Sequence, residues 1–394
     1  MSNTDLAYEG LTVLDLSQGI AGPYCGMMLA RNGADVIKLE PPGAGCWSRQ
    51  LGKFVGDHTA HSVVVHRAKR SLALDLKTVE GVEIAQKLAS KADVLLQNYR
   101  VGKIDRFGLD YKTVAKGNPS IVYASVSGFG TRGDRIGQPA TDSVMQAYTG
   151  IMSINRDARG RTQRINMLAI DFATGLYTFQ AVSTALYKRA MKGAGSLIET
   201  SLLEASLAFQ EAALIDSALQ DGAVEPIGMP VGTFQTADGY MSLNARRQPQ
   251  FEAFAKLVGH PEWIADPRFV DPPTRVANGA ALLALIAPII AERPTAEWCD
   301  LLTGIDVLHA AVHTHQDLFD DPQVKAVDAL RWIENDKLGR VPMASIPGQP
   351  APATGDRLSH SPHVGEHSRA IVAELGYASE AIDALAAKGV LGVM

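Results

Sequence analysis

Three stretches decide the fold: Leu11-Thr-Val-Leu-Asp-Leu16, then Ser17-Gln-Gly-Ile-Ala-Gly-Pro23, then Ala34-Asp-Val-Ile-Lys-Leu39. The first is a short apolar run and reads as a buried strand. The second is a turn of small residues. Residues 24–32 carry a helical pattern closed by Gly33, and the third stretch is a second strand ending at Glu40-Pro-Pro-Gly43. Strand, glycine turn, helix and strand within about thirty residues make a βαβ unit. The turn Gln18-Gly-Ile-Ala-Gly22 is not GxGxxG, so a nicotinamide dinucleotide is not expected on it.

Working outward, the alternation continues. Ser71-Leu-Ala-Leu-Asp-Leu76 is a strand, and residues 78–91 are a helix with Thr78 as N-cap and Glu80 in its first turn. Ala92-Asp-Val-Leu-Leu-Gln97 is a strand ending at Asn98-Tyr-Arg100. Short helices at 104–107 and 111–116 lead to Ile121-Val-Tyr-Ala-Ser-Val126, which ends at Ser127-Gly-Phe-Gly130. This pattern predicts an α/β domain, a parallel sheet covered by helices on both faces. Ligands of such sheets bind beyond the carboxyl ends of the strands, here residues 17–23, 38–43, 98–100 and 127–130.

Residues 141–151 read as a helix. In Asn166-Met-Leu-Ala-Ile-Asp-Phe-Ala-Thr-Gly-Leu-Tyr177 the carboxylate Asp171 heads an amphipathic helix over 171–192, closed by Gly193 and Gly195. Two readings of Asp171 stand. It caps the helix N-terminus, where orphan N–H groups favour an anion, or it is a buried carboxylate used as a nucleophile. Ser196-Leu-Ile-Glu-Thr200 is a strand, and Ser201 caps an apolar helix to 219. That helix is apolar on more than one face, which predicts burial between domains or subunits. Composition shifts near Asp221-Gly222. The hairpin signal around Asp238-Gly239 and helices at 249–257, 279–291 and 295–303 predict a smaller α+β domain. The expected division is 1–220 for the first part of a large domain, 225–325 for the small domain, and 326–394 for a return segment completing the large one.

Bulk properties narrow the function. The chain has 394 residues, of which 46% are hydrophobic and 20% charged, as in ordinary globular proteins. A formal charge of −5 lacks the basic signature of a general nucleic-acid binder. No run of about 18 apolar residues predicts a membrane span, and the first residues do not read as a signal peptide. Cys25, Cys46 and Cys299 are too scattered for a disulfide framework or a zinc site, so a cytoplasmic protein is expected. His313 and His315 form a bare HxH with no third ligand, and no metal is expected. Lys38, Arg49, Lys69, Arg70, Arg100 and Arg106 gather near the strand ends. They are either solvated surface charge or a phosphate pocket.

Taken in order, the chain resembles the class III CoA-transferase family (the formyl-CoA and carnitine CoA-transferase type), which also contains the α-methylacyl-CoA racemases. The residues that carry this are Leu14-Asp-Leu16 and Ala21-Gly-Pro23, Gly33-Ala-Asp-Val-Ile-Lys-Leu-Glu-Pro-Pro-Gly43, Lys69-Arg-Ser-Leu-Ala-Leu-Asp-Leu-Lys77, Asn98-Tyr-Arg100, Ser127-Gly-Phe-Gly130, Asp171-Phe-Ala-Thr-Gly175, Thr200-Ser-Leu-Leu-Glu-Ala205, Phe234-Gln-Thr-Ala-Asp-Gly-Tyr240, Asp321-Pro-Gln-Val324 and Gly365-Glu-His367. The match spans essentially the whole chain.

The resemblance implies a Rossmann-like large domain, a small domain inserted late, and a homodimer with interlocked subunits. It implies an acyl-CoA donor and a small carboxylic acid acceptor as partners, with coenzyme A as the carried group. It places the nucleophile at Asp171, which would pass through a mixed anhydride and an aspartyl-CoA thioester. CoA contacts carried over by position are Lys38 and Arg106 for phosphates, Leu72 and Leu74 near the adenine, and Asn98 and Tyr99 along the pantetheine or nucleotide. Ile20, Arg49, Gly130 and Thr141 fall at substrate positions. The racemases pair their Asp with a His in a Gly-His-Asp segment, and this chain reads Ala140-Thr141-Asp142. Thr141 cannot exchange a proton at an α-carbon near neutral pH, so transferase is expected over racemase. Ile20 stands where the formyl-CoA enzymes place a Gln, and no glycine-rich loop matches theirs around Gly228-Met-Pro230, which argues against an oxalate acceptor. Arg49, Arg164, Arg246 and Arg247 are candidates for holding a second carboxylate, as a C4–C5 dicarboxylate would need. A catalytically silent acyl-CoA binder on the same fold is the reading from another class.

Overall fold

A computed structural model describes residues 6–157, 159–222, 226–335 and 338–394. The expected small-domain start at 225 lies outside the described residues. The chain forms two compact units, one of residues up to Leu214 together with Ala326–Met394, the other Ile215–Lys325.

Among the described residues, the first unit is built on a seven-stranded sheet. The order along the chain is β1 Thr12–Asp15, α1 Ala21–Arg31, β2 Asp35–Glu40, α2 Ala60–His66, β3 Arg70–Leu74, α3 Val79–Lys91, β4 Val94–Gln97, α4 Tyr111–Gly117 and β5 Val122–Ser127. Then come α5 Asp142–Tyr148, α6 Ile151–Ile154, α7 Ala169–Lys192, β6 Ser196–Ser201, α8 Leu202–Phe209 and α9 Glu211–Leu219. Strands β1 to β6 pair in parallel, and a short C-terminal strand, Leu391–Gly392, adds antiparallel to β3 at one edge.

From that C-terminal strand the sheet runs β3-β2-β1-β4-β5-β6. The winding therefore reverses between β1 and β4, and their carboxyl ends flank the crevice where such sheets bind ligands. The apolar runs are nearly continuous because both faces are covered. Alternate residues serve opposite cores. Leu14, Leu95 and Tyr123 join Ile84 and Leu88 of α3, while Val13, Val94 and Val122 join Leu29 of α1 and Val182 of α7.

Helix α7 crosses α1 at Gly175. A Cβ there would lie 2.7 Å from the Ala21 carbonyl and 3.0 Å from the Tyr24 side chain, so the two helices meet only because this residue is glycine. Gly193, at φ 74°, ends α7 and donates its N–H to Arg189 at 2.7 Å.

Several elements differ from the sequence reading. Helix α7 begins at Ala169, so Asp171 sits in its first turn rather than at the cap. The single apolar helix expected after Ser201 is two, α8 and α9, although Ser201 caps as expected by accepting from the Glu204 N–H at 3.1 Å. The helix expected over 141–151 is broken at Gly150, φ 87°, into α5 and α6. Helix α2 was not foreseen because its Val63-Val-Val65 run favours strand. Reciprocal capping between Thr59 and Ser62 starts it. The antiparallel hairpin Leu330–Asn335 with Gly339–Ala344 was also unforeseen.

The second unit holds three antiparallel strands, Val231–Gln235, Tyr240–Asn244 and Leu308–Ala311. The first two form the hairpin around Asp238-Gly239. With helices Gln248–Leu257, Gly279–Ile290 and Thr295–Thr303 they enclose an α+β core that includes Phe234, Phe251, Phe254, Ile286 and Trp298.

Candidate active site

The start of α7 is organised from a distance. Its flanking residue Leu168 supplies no side-chain cap. Asp142, at the start of α5, does so instead. Its Oδ2 accepts from the Ile170 N–H at 2.7 Å and the Asp171 N–H at 3.2 Å. Its Oδ1 accepts from Gln146 Nε2 at 2.6 Å. Gln146 also donates to the Ile165 and Met167 carbonyls and accepts from the Ile165 N–H. The strand of chain leading into α7 is thus tied to α5, and Asp171 is held in one place.

Asp171 is 8% exposed. Among the described residues no donor reaches its carboxylate. Burial, followed by the negative charge of Asp142, pushes its carboxyl up to about 7. A buried carboxylate that no cation compensates is a poor structural element and a usable nucleophile.

Asp171 opens onto a cleft of about 300 Å³ at the β1/β4 crevice. Of the residues expected at the site, Ile20, Asn98, Tyr99, Gly130 and Thr141 line the same cleft. Asn98 spans the crevice: its Oδ1 accepts from the Gln18 N–H and its Nδ2 donates to the Gln18 carbonyl, both at 2.7 Å. Gly130 has φ 95° and donates its N–H to Ser127 Oγ at 3.1 Å. The Gly19 N–H points to Cys46 Sγ at 3.2 Å. Both of these glycine N–H groups are therefore engaged within the protein rather than free for an oxyanion.

A second hollow of about 300 Å³ lies beside the first and is lined by Leu74, Lys77, Tyr99, Arg106 and Phe107. Tyr99 belongs to both walls. The Arg106 guanidinium lies over the Phe107 ring at 4.6 Å.

Three expected contacts need correction. Lys38 is fully buried. Its ammonium donates to the carbonyls of Ser17, Asp15 and Leu39 and lies 3.7 Å from the Asp15 carboxylate, so it does not face a phosphate. Leu72 is 0% exposed in the middle of β3 and cannot touch an adenine. Arg49 is 2% exposed and makes a two-pronged pair with Glu40, at 2.8 and 2.9 Å, which spends the fork expected for a substrate carboxylate. Of the other candidates, Arg164 is exposed and bonds Asn166, while Arg246 and Arg247 belong to the second unit. The cleft instead carries Arg100, together with Gln18, Trp47 and Gln138. In the sequence Arg100 is one of several basic residues near strand ends, and Asp142 stands at a helix start beside Thr141, where the racemases carry a His. Nothing local in sequence marks a cap supplied from 28 residues away.

Asp57, His58 and His363 bring ligand-type atoms within 4.8 Å of one another. The carboxylate is already engaged, by His363 Nδ1 at 2.7 Å, the Val364 N–H at 2.8 Å and Arg49 at 3.6 Å. The nearby guanidinium opposes a further cation, and none of the three lines the cleft.

Comparison with known proteins bears on this geometry. The model of CoA-transferase family III matches residues 8–368. The chain is 32% identical to the succinyl-CoA:glutarate CoA-transferase of Mus musculus, over 97% of this chain and 90% of that protein. It is 34% identical to the acetyl-CoA:oxalate CoA-transferase of Acetobacter aceti, over 75% of this chain and 78% of that protein. A solved structure of a CAIB/BAIF family protein from Brucella suis superposes with a TM-score of 0.83 at 31% identity, covering 94% of this chain and 100% of that one.

Proposed function

The chain belongs to CoA-transferase family III, enzymes that transfer CoA between carboxylic acids, and we propose that it does so covalently through Asp171, with short dicarboxylic acids as its substrates. The observation that carries this is the Asp171 carboxylate, buried and unpaired at the wall of the cleft. One of its oxygens attacks the thioester carbonyl of the donor acyl-CoA. The C–S bond breaks, CoA leaves as thiolate, and a mixed anhydride forms. The thiolate then attacks the aspartyl carbonyl, the donor acid leaves as carboxylate, and Asp171 carries CoA as a thioester. The acceptor carboxylate reverses both steps. Each stage is an acyl transfer between activated groups, which is the advantage of a covalent route.

The two hollows joined at Tyr99 suit an extended CoA. The thioester would lie against Asp171, the pantetheine would pass Asn98 and Tyr99, and the nucleotide would reach Leu74, Lys77 and Arg106. For a dicarboxylate the names of the relatives supply the motive, since succinate and glutarate each carry two carboxylates. Succinyl-CoA is the preferred donor to test, with Arg100 as the cation on the cleft wall. We place the enzyme in the cytoplasm as an interlocked homodimer. Exposed apolar side chains on α7, the edge strand β6 and α8 (Tyr187, Met191, Leu197 and Phe209) support a subunit contact there.

The test is a screen of acyl-CoA donors against acid acceptors, including succinate, glutarate, mesaconate, itaconate and oxalate. It is joined to hydroxylamine or borohydride trapping during turnover with succinyl-CoA. CoA exchange and a mass change on the Asp171 peptide are expected. Turnover without any adduct at Asp171 overturns the covalent route. Deuterium incorporation at the α-carbon of a 2-methylacyl-CoA, without CoA exchange, favours a racemase. Acyl-CoA binding with neither result favours a silent binder.

A further inference from the structure

We infer that Asp142 is a positioning residue for the transfer: it fixes the backbone of Asp171 and sets a second negative charge behind it, which disfavours the free carboxylate relative to its uncharged acylated forms. This rests on Asp171 being the nucleophile.

The geometry is specific. Helix α7 needs partners for its first N–H groups, and Asp142 meets two of them, those of Ile170 and Asp171. A Ser or Asn caps a helix as well as Asp does, so capping alone does not require a charge. Yet Asp142 is 3% exposed, and among the described residues no cation pairs with it. Its partners are two backbone N–H groups and the Gln146 amide. Amide donors hold the Asp142 carboxylate but no cation offsets it, and its charge acts on the carboxylate next to it.

That action has a direction. In the mixed anhydride and in the aspartyl-CoA thioester, the Asp171 side chain is neutral. A proton also neutralises it. Surroundings that favour the protonated over the ionised carboxylate therefore favour the acylated over the free one. The segments packed against or leading into α7 carry other charged and titratable groups. Asp142 faces it from α5. From α1, Tyr24 packs edge-on against the adjacent Phe172, ring centroids 4.8 Å apart. From α8, Glu204 accepts the Ser201 hydroxyl at 2.7 Å. Arg164, before α7, bonds Asn166. Arg100 lines the same cleft. Burial and Asp142 are the two influences that raise the Asp171 carboxyl.

The experiment uses the full-length enzyme with Asp142→Asn and Asp142→Ser, two uncharged residues able to cap, and Asp142→Ala, which cannot. Three quantities are measured from pH 5 to 9: kcat/KM, the fraction of Asp171 trapped with saturating succinyl-CoA, and the melting temperature. In the capping variants that melt like wild type, the acid limb of kcat/KM should move down by about one pH unit. The trapped fraction should fall about tenfold. Asp142→Ala should show the same shifts and also melt lower. If Asp142→Asn or Asp142→Ser is folded and keeps both the wild-type acid limb and the wild-type trapped fraction, Asp142 is a helix cap only and the inference is wrong. Absence of any Asp171 adduct in the wild type overturns the nucleophile reading itself, a result distinct from an adduct that Asp142 does not influence.

Discussion

Two groups of buried carboxylates lie along the carboxyl ends of one sheet, and they are treated in opposite ways. Asp15, at the end of β1, is fully buried, with Lys69 Nζ at 2.7 Å and Lys38 Nζ at 3.7 Å. Burial alone would raise its carboxyl, but the two lysines and the Ser17 hydroxyl bring it below the usual range. Glu40, at the end of β2, is likewise buried and is held down by the Arg49 fork and Ser71. Asp171 has no such cation and has a carboxylate for a neighbour. The first two carboxylates are fully compensated and hold the crest of the sheet together. The third is left uncompensated. Compensation, more than burial, sets whether a buried carboxyl is brought below or pushed above its usual range.

The sharpest way to break the contrast is to remove each side of it. Asp171→Ala should lower CoA transfer on the order of 10⁴-fold while the protein stays folded, as judged by circular dichroism and a donor–acceptor exchange assay. Lys69→Met should do the reverse. It leaves Asp15 buried with only the more distant Lys38, so urea unfolding should show a loss of about 3–5 kcal/mol.

A smaller effect separates the two groups by pH. With its carboxyl near 7, Asp171 should give kcat/KM a fall of about tenfold per pH unit below pH 7. A flat profile down to pH 5 would contradict the raised carboxyl.

The smallest expected effect concerns stability and has opposite signs at the two places. The Asp171 carboxyl is raised from 3.8 to about 7, so its favourable contribution is full below pH 3.8 and is lost as pH rises through about 7. Asp171→Asn should therefore melt higher than wild type at pH 9, by about 2 °C or more, and by a clearly smaller margin at pH 5, where only part of that contribution has been lost. Asp15 is lowered, so its contribution is present above pH 3.8 and is lost only as acid titrates it below that. A melting gain for Asp171→Asn that does not depend on pH would point to packing instead of charge.

Much of this was readable from the chain because it is local. The βαβ rhythm, the glycine stops and the Asp238-Gly239 hairpin are written in short windows, and the strand ends they predict do flank the cleft. Asn98 and Tyr99 sit on such a strand end, whereas Ile20 and Gly130 were expected at the site from the family resemblance; all four line the cleft. What was not readable depends on partners far apart in sequence. Lys38 looks like a surface cation at a strand end until Asp15 and the carbonyls around it are seen to enclose it. Arg49 looks available until Glu40 occupies both its prongs. Asp171 looks like its own helix cap until Asp142 is found capping for it. Side chains with charge are the hardest to place from sequence alone, because their role is set by whichever opposite charge the fold brings near.

The crossing at Gly175 has a practical consequence for anyone wishing to redesign the enzyme toward other acids. It lies one turn beyond Asp171, where α7 rests on α1 with no room for a methyl group. Variation there would displace the first turn of α7, Asp171 with it, before it altered any preference, so a library that includes this position wastes its diversity. The exposed segment at Gln138 and Pro139 opens on the same cleft and carries no such constraint. Randomising it leaves the helix crossing intact, and that loop is where a search for new acceptors should begin.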